Sequence, residues 1–298
     1  MKFDDRKVKV IKFANNPNTK NHLSESLRDL IQADKDWDTY EDREVPENLY
    51  TKIEKSVLKD LDKLSHPYHN KQHTQNVISR AMELAESAQL GSKDKQLLRI
   101  AALFHDYDHA GNTFRQSVEG CERNDISNEE FAAIKADEIV GNLLSPCQRL
   151  SLQGMILATS FAQNNPDMLP DYSYQRDYKP IEKLEKFLAF SDINNLEDSL
   201  EDWMAQNYAI LQESGRGGIA DNFDKYLEGK LSFLSYVQMK LDDVKPFISS
   251  DAVSKLQNSL NKRIDQIKII KESGSELGQK YAASFSQIRE KRLAELEG

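Results

Sequence analysis

A chain of 298 residues can bury one large core or two smaller ones, and its formal net charge of −9 argues against a broad surface for nucleic-acid duplexes or anionic membranes, since Lys and Arg hold phosphate-rich partners. Two cysteines, Cys121 and Cys147, lie far apart without Cys-x-x-Cys spacing and suggest neither a disulfide framework nor a cysteine-ligated zinc knuckle. No run approaches the roughly 18 apolar residues of a membrane helix, and the first residues carry no secretory core, so the expectation is a soluble, cytoplasmic protein.

Residues 1–48 read as a polar N-terminal extension, with a short strand over Lys7–Phe13 and a helix near Glu25–Ala33. From Leu49 apolar residues recur at helical spacing: Ile53, Val57, Leu58 and Leu61, then Val77, Ile78, Ala81, Leu84 and Ala85. Leu97–Phe104 is almost wholly apolar and predicts a buried helix that delivers His105 and Asp106 at its end, with Gly111 as its terminator. Helices follow over Asn128–Leu144 and Pro146–Phe161, then a loop with Pro166, Pro170 and Pro180. A second apolar approach, Leu184–Phe190, leads into Ser191-Asp192.

Leu196–Leu211, Phe223–Val244 and Val253–Glu297 complete the helical pattern, broken by Gly215-Arg-Gly-Gly218 and Ser273-Gly-Ser275. Leu256, Leu260, Ile264, Ile267 and Ile270 recur at three- and four-residue steps within a charge-rich tail, which predicts helices packing on the body or on another subunit of a homo-oligomer. The fold class expected is all-α, in three segments: 1–48, a catalytic body over 49–245, and a C-terminal helical segment over 246–298.

Chemistry concentrates in one region. Five of the six histidines fall between positions 66 and 109, in His66-Pro-Tyr-His69-Asn-Lys-Gln-His73 and His105-Asp106-Tyr-Asp108-His109. Imidazole and carboxylate together suit zinc, manganese and iron, and the spacings of His69 to His73 and His105 to His109 would set each pair on one helix face. A buried His-Asp pair needs a partner, and a metal supplies one. His66 precedes Pro67 and shapes a turn, and His22 belongs to the surface.

These residues resemble the HD superfamily of metal-dependent phosphohydrolases, and within it most the catalytic domain of class I cyclic-nucleotide phosphodiesterases. Tyr68-His69-Asn70-Lys71-Gln72-His73, His105-Asp106-Tyr107-Asp108-His109-Ala110-Gly111 and Phe190-Ser191-Asp192 stand in the family's order and intervals, with further echoes in Ile156–Thr159 and Leu231–Leu234. The resemblance covers about residues 65–240 and implies a helical bundle with an inward-facing metal site. It implies two divalent ions (zinc, magnesium or manganese, with iron the least expected) and His73, His105, Asp106 and Asp192 as ligands of the first, Asp106 also reaching the second. It further implies attack of a metal-bound hydroxide on a nucleotide, a 3′,5′-cyclic one among the candidates. His69 would be the general acid and His109 a catalytic neighbour of the second metal's waters, while Glu130, or else Glu129, would bond metal-bound water. Thr159, Asn70, Asn194 and Asn195 would hydrogen-bond around the ligands, and Tyr68, Lys230 and Phe233 would meet a small-molecule phosphate ester or nucleotide.

Two departures bear on specificity. Ala158-Thr159-Ser160 replaces the family's Ala-Thr-Asp, so a carboxylate that supports metal-bound waters is missing. With Phe233 aligned to the family's base-clamping phenylalanine, Lys230 stands where a purine-selecting glutamine is expected, and a lysine only donates hydrogen bonds. Other readings keep the scaffold: release of phosphate or triphosphate from a nucleotide, a non-catalytic binding module, or a di-iron oxygenase. The last is disfavoured because no further histidine lies between His109 and Asp192.

Overall fold

A computed structural model of the chain describes residues 42–64, 66–109, 128–160, 179–213, 223–272, 278–283, 286, 287, 290 and 294. The expected strand at 7–13 and helix at 25–33, His22, Gly111, Cys121, Pro166 and Pro170, and the breaks at 215–218 and 273–275 lie outside these residues. Among the described residues every regular element is a helix, in keeping with the all-α expectation, and no helix is long and apolar enough to cross a membrane.

Contacts group the described residues into two units, 42–64, 69–109, 128–160 and 179–192 in the first, and 66–68, 193–213, 223–272 and those beyond 277 in the second. The first holds α1 (Glu47–Leu61), α2 (Lys71–Ser87), α3 (Ser92–Phe104), α4 (Asn128–Val140), α5 (Pro146–Leu157) and α6 (Lys179–Ile193). Helix α3 is the hub. It packs against α1, α2, α4 and α5, and accordingly Leu97, Leu98 and every residue from Ile100 to Phe104 is buried. A helix end apolar on all sides, as Ile100–Phe104 is, needs neighbours on all sides, and that requirement carries His105, at the C-terminal cap, into the interior.

Local chemistry fixes the ends. Asn70 caps α2 by accepting from the amides of Gln72 and His73. Ser145 and Gln148 form a reciprocal capping box at α5, and Pro146 supplies the preset first turn. Pro180 sits in the first turn of α6 rather than in the preceding loop, because a proline there forfeits only an amide that has no helical acceptor. Helix α4 stops at Val140, and Gly141–Leu143 tighten into a 3-10 turn, ending the expected 128–144 helix early. At that turn Arg149 of α5 donates to both carboxylate oxygens of the buried Asp137 on α4, at 2.7 and 2.6 Å, and a Cβ on Gly141 would lie 2.7 Å from Asp137 Oδ1. The α4–α5 pair is thus clamped by one buried ion pair that only a glycine admits.

Residues 42–46, assigned from the sequence to a polar extension, are tied to this unit by two glutamine side chains. Gln96 exchanges two hydrogen bonds with the backbone of Val45, both 2.6 Å, and Gln148 does the same with Arg43 at 2.8 and 3.0 Å. A side-chain amide carries the donor and acceptor of a peptide group, so it satisfies an extended backbone as a neighbouring strand would.

The second unit holds α7 (Leu200–Glu213), α8 (Phe223–Val244) and α9 (Ser250–Lys271), with α8 packed on α9. Helix α7 begins four residues later than the apolar pattern predicts, because Ser199 accepts from the amide of Asp202 and caps it there. Of the predicted apolar stripe of α9, Leu256, Leu260, Ile267 and Ile270 are buried, whereas Ile264 is only half-buried.

Candidate metal centre

Three separate segments of the first unit bring four side chains to one point. His73 lies in the first turn of α2, His105 and Asp106 at the end of α3, and Asp192 near the end of α6. His73 Nε2 lies 3.1 Å from Asp106 Oδ2, 3.0 Å from Asp192 Oδ1 and 3.2 Å from His105 Nε2. His105 Nε2 lies 2.9 Å from Asp106 Oδ2 and 3.4 Å from Asp192 Oδ1. Donors held about 2.0–2.2 Å from a common ion stand about 3.0 Å apart when their bonds meet at right angles and nearer 3.5 Å at tetrahedral angles. The observed separations fall in this range.

The orientation of each donor fits an ion as well. His105 Nδ1 donates to Ala102 O at 2.8 Å, using a carbonyl that the helix end leaves over, so its Nε2 lone pair points into the cluster. Asp106 Oδ2 is buried without a hydrogen-bond partner although two imidazole nitrogens stand within 3.1 Å. Two nitrogens and two carboxylate oxygens converging without well-aligned hydrogen bonds make a donor set for a borderline divalent cation. The four residues would hold that ion, which fits them.

The expected same-face pairing of histidines is not what builds the site. His69 precedes α2, and α3 ends at Phe104 before His109 is reached, so both pairs straddle a helix end. After His105 the chain turns back through Asp108, at φ +56°, a left-handed conformation that aspartate tolerates, and Asp108 itself is exposed. Tyr107 donates to Asp60 Oδ2 of α1 at 3.3 Å and anchors the turn.

This reversal stacks His109 on His69, with ring centroids 3.8 Å apart and planes within 15°, while His69 meets His73 edge-on at 5.9 Å. His109 is buried, and its Nε2 lies 2.9 Å from Asn128 Nδ2 at the start of α4. An amide nitrogen only donates, so His109 accepts there and keeps its proton on Nδ1. Asn128 was not legible as a site residue, since an asparagine opening a helix has a sufficient role as a cap. Glu130 is buried in the same turn of α4 and Glu129 is half-buried.

Other expected neighbours serve local ends. Asn70 spends its carbonyl oxygen on the α2 cap, and Thr159 donates to Ile156 O at 2.7 Å, closing its own helix end. Asn194 and Asn195 are buried in the second unit, where Asn195 Nδ2 donates to Gln206 Oε1. Tyr68 is half-buried there, and its amide donates to Glu213 Oε2 at 3.1 Å. Lys230 is half-buried. Its ammonium lies 2.8 Å from Asn207 Oδ1, 5.1 Å from the Tyr226 ring centre and 5.8 Å from that of Phe233, and burial pushes its pKa down to about 8. Neither Asn207 nor Glu213 stood out in the sequence, because each lies on a helix among ordinary polar residues.

The cluster's electrostatics set a proton against a metal. Burial alone would pull the His105 imidazole down, but Asp106 and Asp192 hold it well above its ordinary value. Burial alone would raise both carboxyls, yet the neighbouring imidazoles of His105, His69 and His73 hold Asp106 well below the carboxylate range, and those of His105 and His73 lower Asp192 likewise. In metal-stripped protein the raised imidazole stabilises fully below about pH 6.5 and ceases to as pH rises through its folded value; the lowered carboxylates stabilise fully above about pH 4 and cease to as pH falls through theirs. Metal-stripped protein should therefore be most stable between these limits. A metal displaces the proton, so the gain in melting temperature on adding zinc or manganese should grow from pH 6 to pH 8. Differential scanning fluorimetry across that range reads it, and a gain that shrinks with pH would contradict the cluster as the metal's site.

In comparison with known proteins, a family model described as "HD domain" matches residues 71–192, which include all four converging residues and His109 but not His69. Neither the curated proteins nor the solved structures searched gave a match.

Proposed function

Because residues 71–192 are an HD domain, the domain of a superfamily of metal-dependent phosphohydrolases, we propose that the protein is a metal-dependent phosphodiesterase acting on a nucleotide, with 3′,5′-cyclic nucleotides the first to test. The observation that carries this reading is the convergence of His73, His105, Asp106 and Asp192, whose ligand atoms lie within 4.8 Å of one another, beside a pair of histidines that are not part of the set. Divalent ions bound there would lower the pKa of a water and neutralise phosphoryl oxygens.

The chain's own residues supply the rest. His69 stacks on His109 at 3.8 Å, and His109 in turn meets Asn128. In this reading His69 is the general acid that protonates the departing alkoxide. Lys230, Phe233 and Tyr68 are proposed to recognise the substrate; an ammonium flanked by two rings suits an anionic group better than the donor-and-acceptor edge of a purine. The protein is further proposed to act in the cytoplasm on a small molecule and to self-associate through its C-terminal helices.

Purified protein assayed for bound metal and for turnover of cyclic nucleotides, nucleoside mono- and triphosphates, and a generic phosphodiester tests the reading. Turnover of a diester above the monoesters supports it; preference for mono- or triphosphates shifts the bond cleaved. Stoichiometric metal with no turnover of any of them counts for the non-catalytic module.

A further inference from the structure

In the second unit a cavity of about 310 Å³ lies between residues 196–200 and α9. Four of its lining residues, Ser259, Lys262, Arg263 and Gln266, follow one another at helical spacing on a single face of α9, with Lys255 one turn earlier. At the centre is Arg263, only 3% exposed, its guanidinium carbon 5.1 Å from the Trp203 ring centre. Its Nη2 donates to the carbonyls of Asp198 at 2.6 Å and Leu196 at 3.3 Å. Its Nε and Nη1 carry the guanidinium's other three N–H donors, and neither atom meets an acceptor among the described residues. Buried donors on a fixed cation are costly unless an acceptor reaches them.

The acidic groups of the cavity are already engaged. Glu197 pairs with Lys255 at 2.8 Å, and Asp198 Oδ2 accepts from Gln206 at 2.7 Å. The lining carries three cations, Lys255, Lys262 and Arg263, against the two carboxylates of Glu197 and Asp198, a net single positive charge, with the hydroxyl of Ser259 and the amide of Gln266 alongside. Planar guanidinium donors, a nearby ammonium and neutral hydrogen-bonding groups are the chemistry that recognises phosphate. The volume admits such a group with part of a carrier molecule.

We propose that this cavity binds a tetrahedral oxyanion, a phosphate group either free or borne by a small molecule. The site stands apart from the reading of the metal centre and needs no metal.

The test is calorimetric titration of the metal-loaded full chain with inorganic phosphate and, separately, with adenosine 5′-monophosphate, in wild type, Ser259→Asp and Lys262→Glu. Both substitutions act at the rim and leave the buried arginine in place. Phosphate affinity should fall at least 10-fold in each variant, with metal content and melting temperature unchanged. The Asp192→Ala protein should keep this binding, since phosphate held at the metal centre would be lost there. Nucleotide binding at least 10-fold tighter than phosphate, and equally sensitive to Ser259→Asp, assigns a phosphate borne by a nucleotide; equal or weaker binding assigns the free ion. Absence of phosphate binding in wild type, an isotherm indifferent to both rim substitutions, or complete loss in Asp192→Ala would each overturn the proposal.

Discussion

Asp192→Ala is expected to lose its metal and its hydrolytic activity together, by more than the roughly 10–100-fold that removal of a group merely supporting a ligand costs. Asp192 Oδ1 stands 3.0 Å from His73 Nε2 and 3.4 Å from His105 Nε2, so alanine leaves two imidazoles and one carboxylate facing an open corner. Charge matters as much as shape. A divalent ion in a buried site needs anions beside it to offset its lost hydration, and with Asp192 gone only Asp106 remains of the two converging carboxylates. Asp192→Asn keeps the volume but not the charge and should fall between alanine and wild type. Elemental analysis of the purified variants, paired with turnover on the best diester, decides the matter: full metal content in Asp192→Ala would place the ion elsewhere. His73→Ala, which removes a donor from a different helix, should reproduce the result.

The four converging residues were legible through the resemblance to the HD superfamily, whose motifs stand in order over His69–His73, His105–Gly111 and Phe190–Asp192, and local patterning agreed with it. Two apolar helical approaches, Leu97–Phe104 and Leu184–Phe190, end on polar pairs, and both approaches are buried as helix interiors. A third pair, His69 and His73, sits where an asparagine announces a helix start, and Asn70 caps that start. What spacing alone misjudged was the geometry between neighbours. The four-residue interval in each cluster predicts a shared helix face, but a helix boundary falls inside both intervals, and the left-handed Asp108 then swings His109 onto His69. Such a reversal leaves no periodic signature, since one residue's φ produces it.

Long-range polar pairings were the least visible. Nothing in the sequence links Gln96 to Val45, Asn128 to His109 or Lys230 to Asn207, because an isolated polar residue on a helix has a bland solvated reading until its partner is known. The match of an HD-domain family model over 71–192 covers the segment in which local patterning was strongest. Arg263 shows the converse error. It lies beside Ile264 in a helix read from its leucines and isoleucines, yet the arginine is buried and the isoleucine is not. Packing selected a face that includes a long cation whose stem covers apolar surface.

His69→Gln is expected to keep its metal and to lose turnover by about 10²–10⁴-fold, the usual worth of general acid catalysis, or roughly 3–5 kcal/mol of transition-state stabilisation. The metal should stay because His69 is outside the four-residue set, its ring 5.9 Å from that of His73. The size of the loss should depend on the leaving group. An alkoxide from a ribose departs only if protonated, whereas 4-nitrophenolate is stable without a proton, so the variant should hydrolyse a nitrophenyl phosphodiester far better, relative to wild type, than it hydrolyses a nucleotide diester. His109→Gln makes the informative control. Removing the stacked ring and the acceptor for Asn128 disturbs where His69 sits and where its proton resides without removing the acid, so its loss should be smaller and its leaving-group dependence weaker. If His69→Gln slowed both classes of substrate equally, protonation of the leaving group would not be its task, and the histidine would be acting on the position of the substrate or of the ion instead.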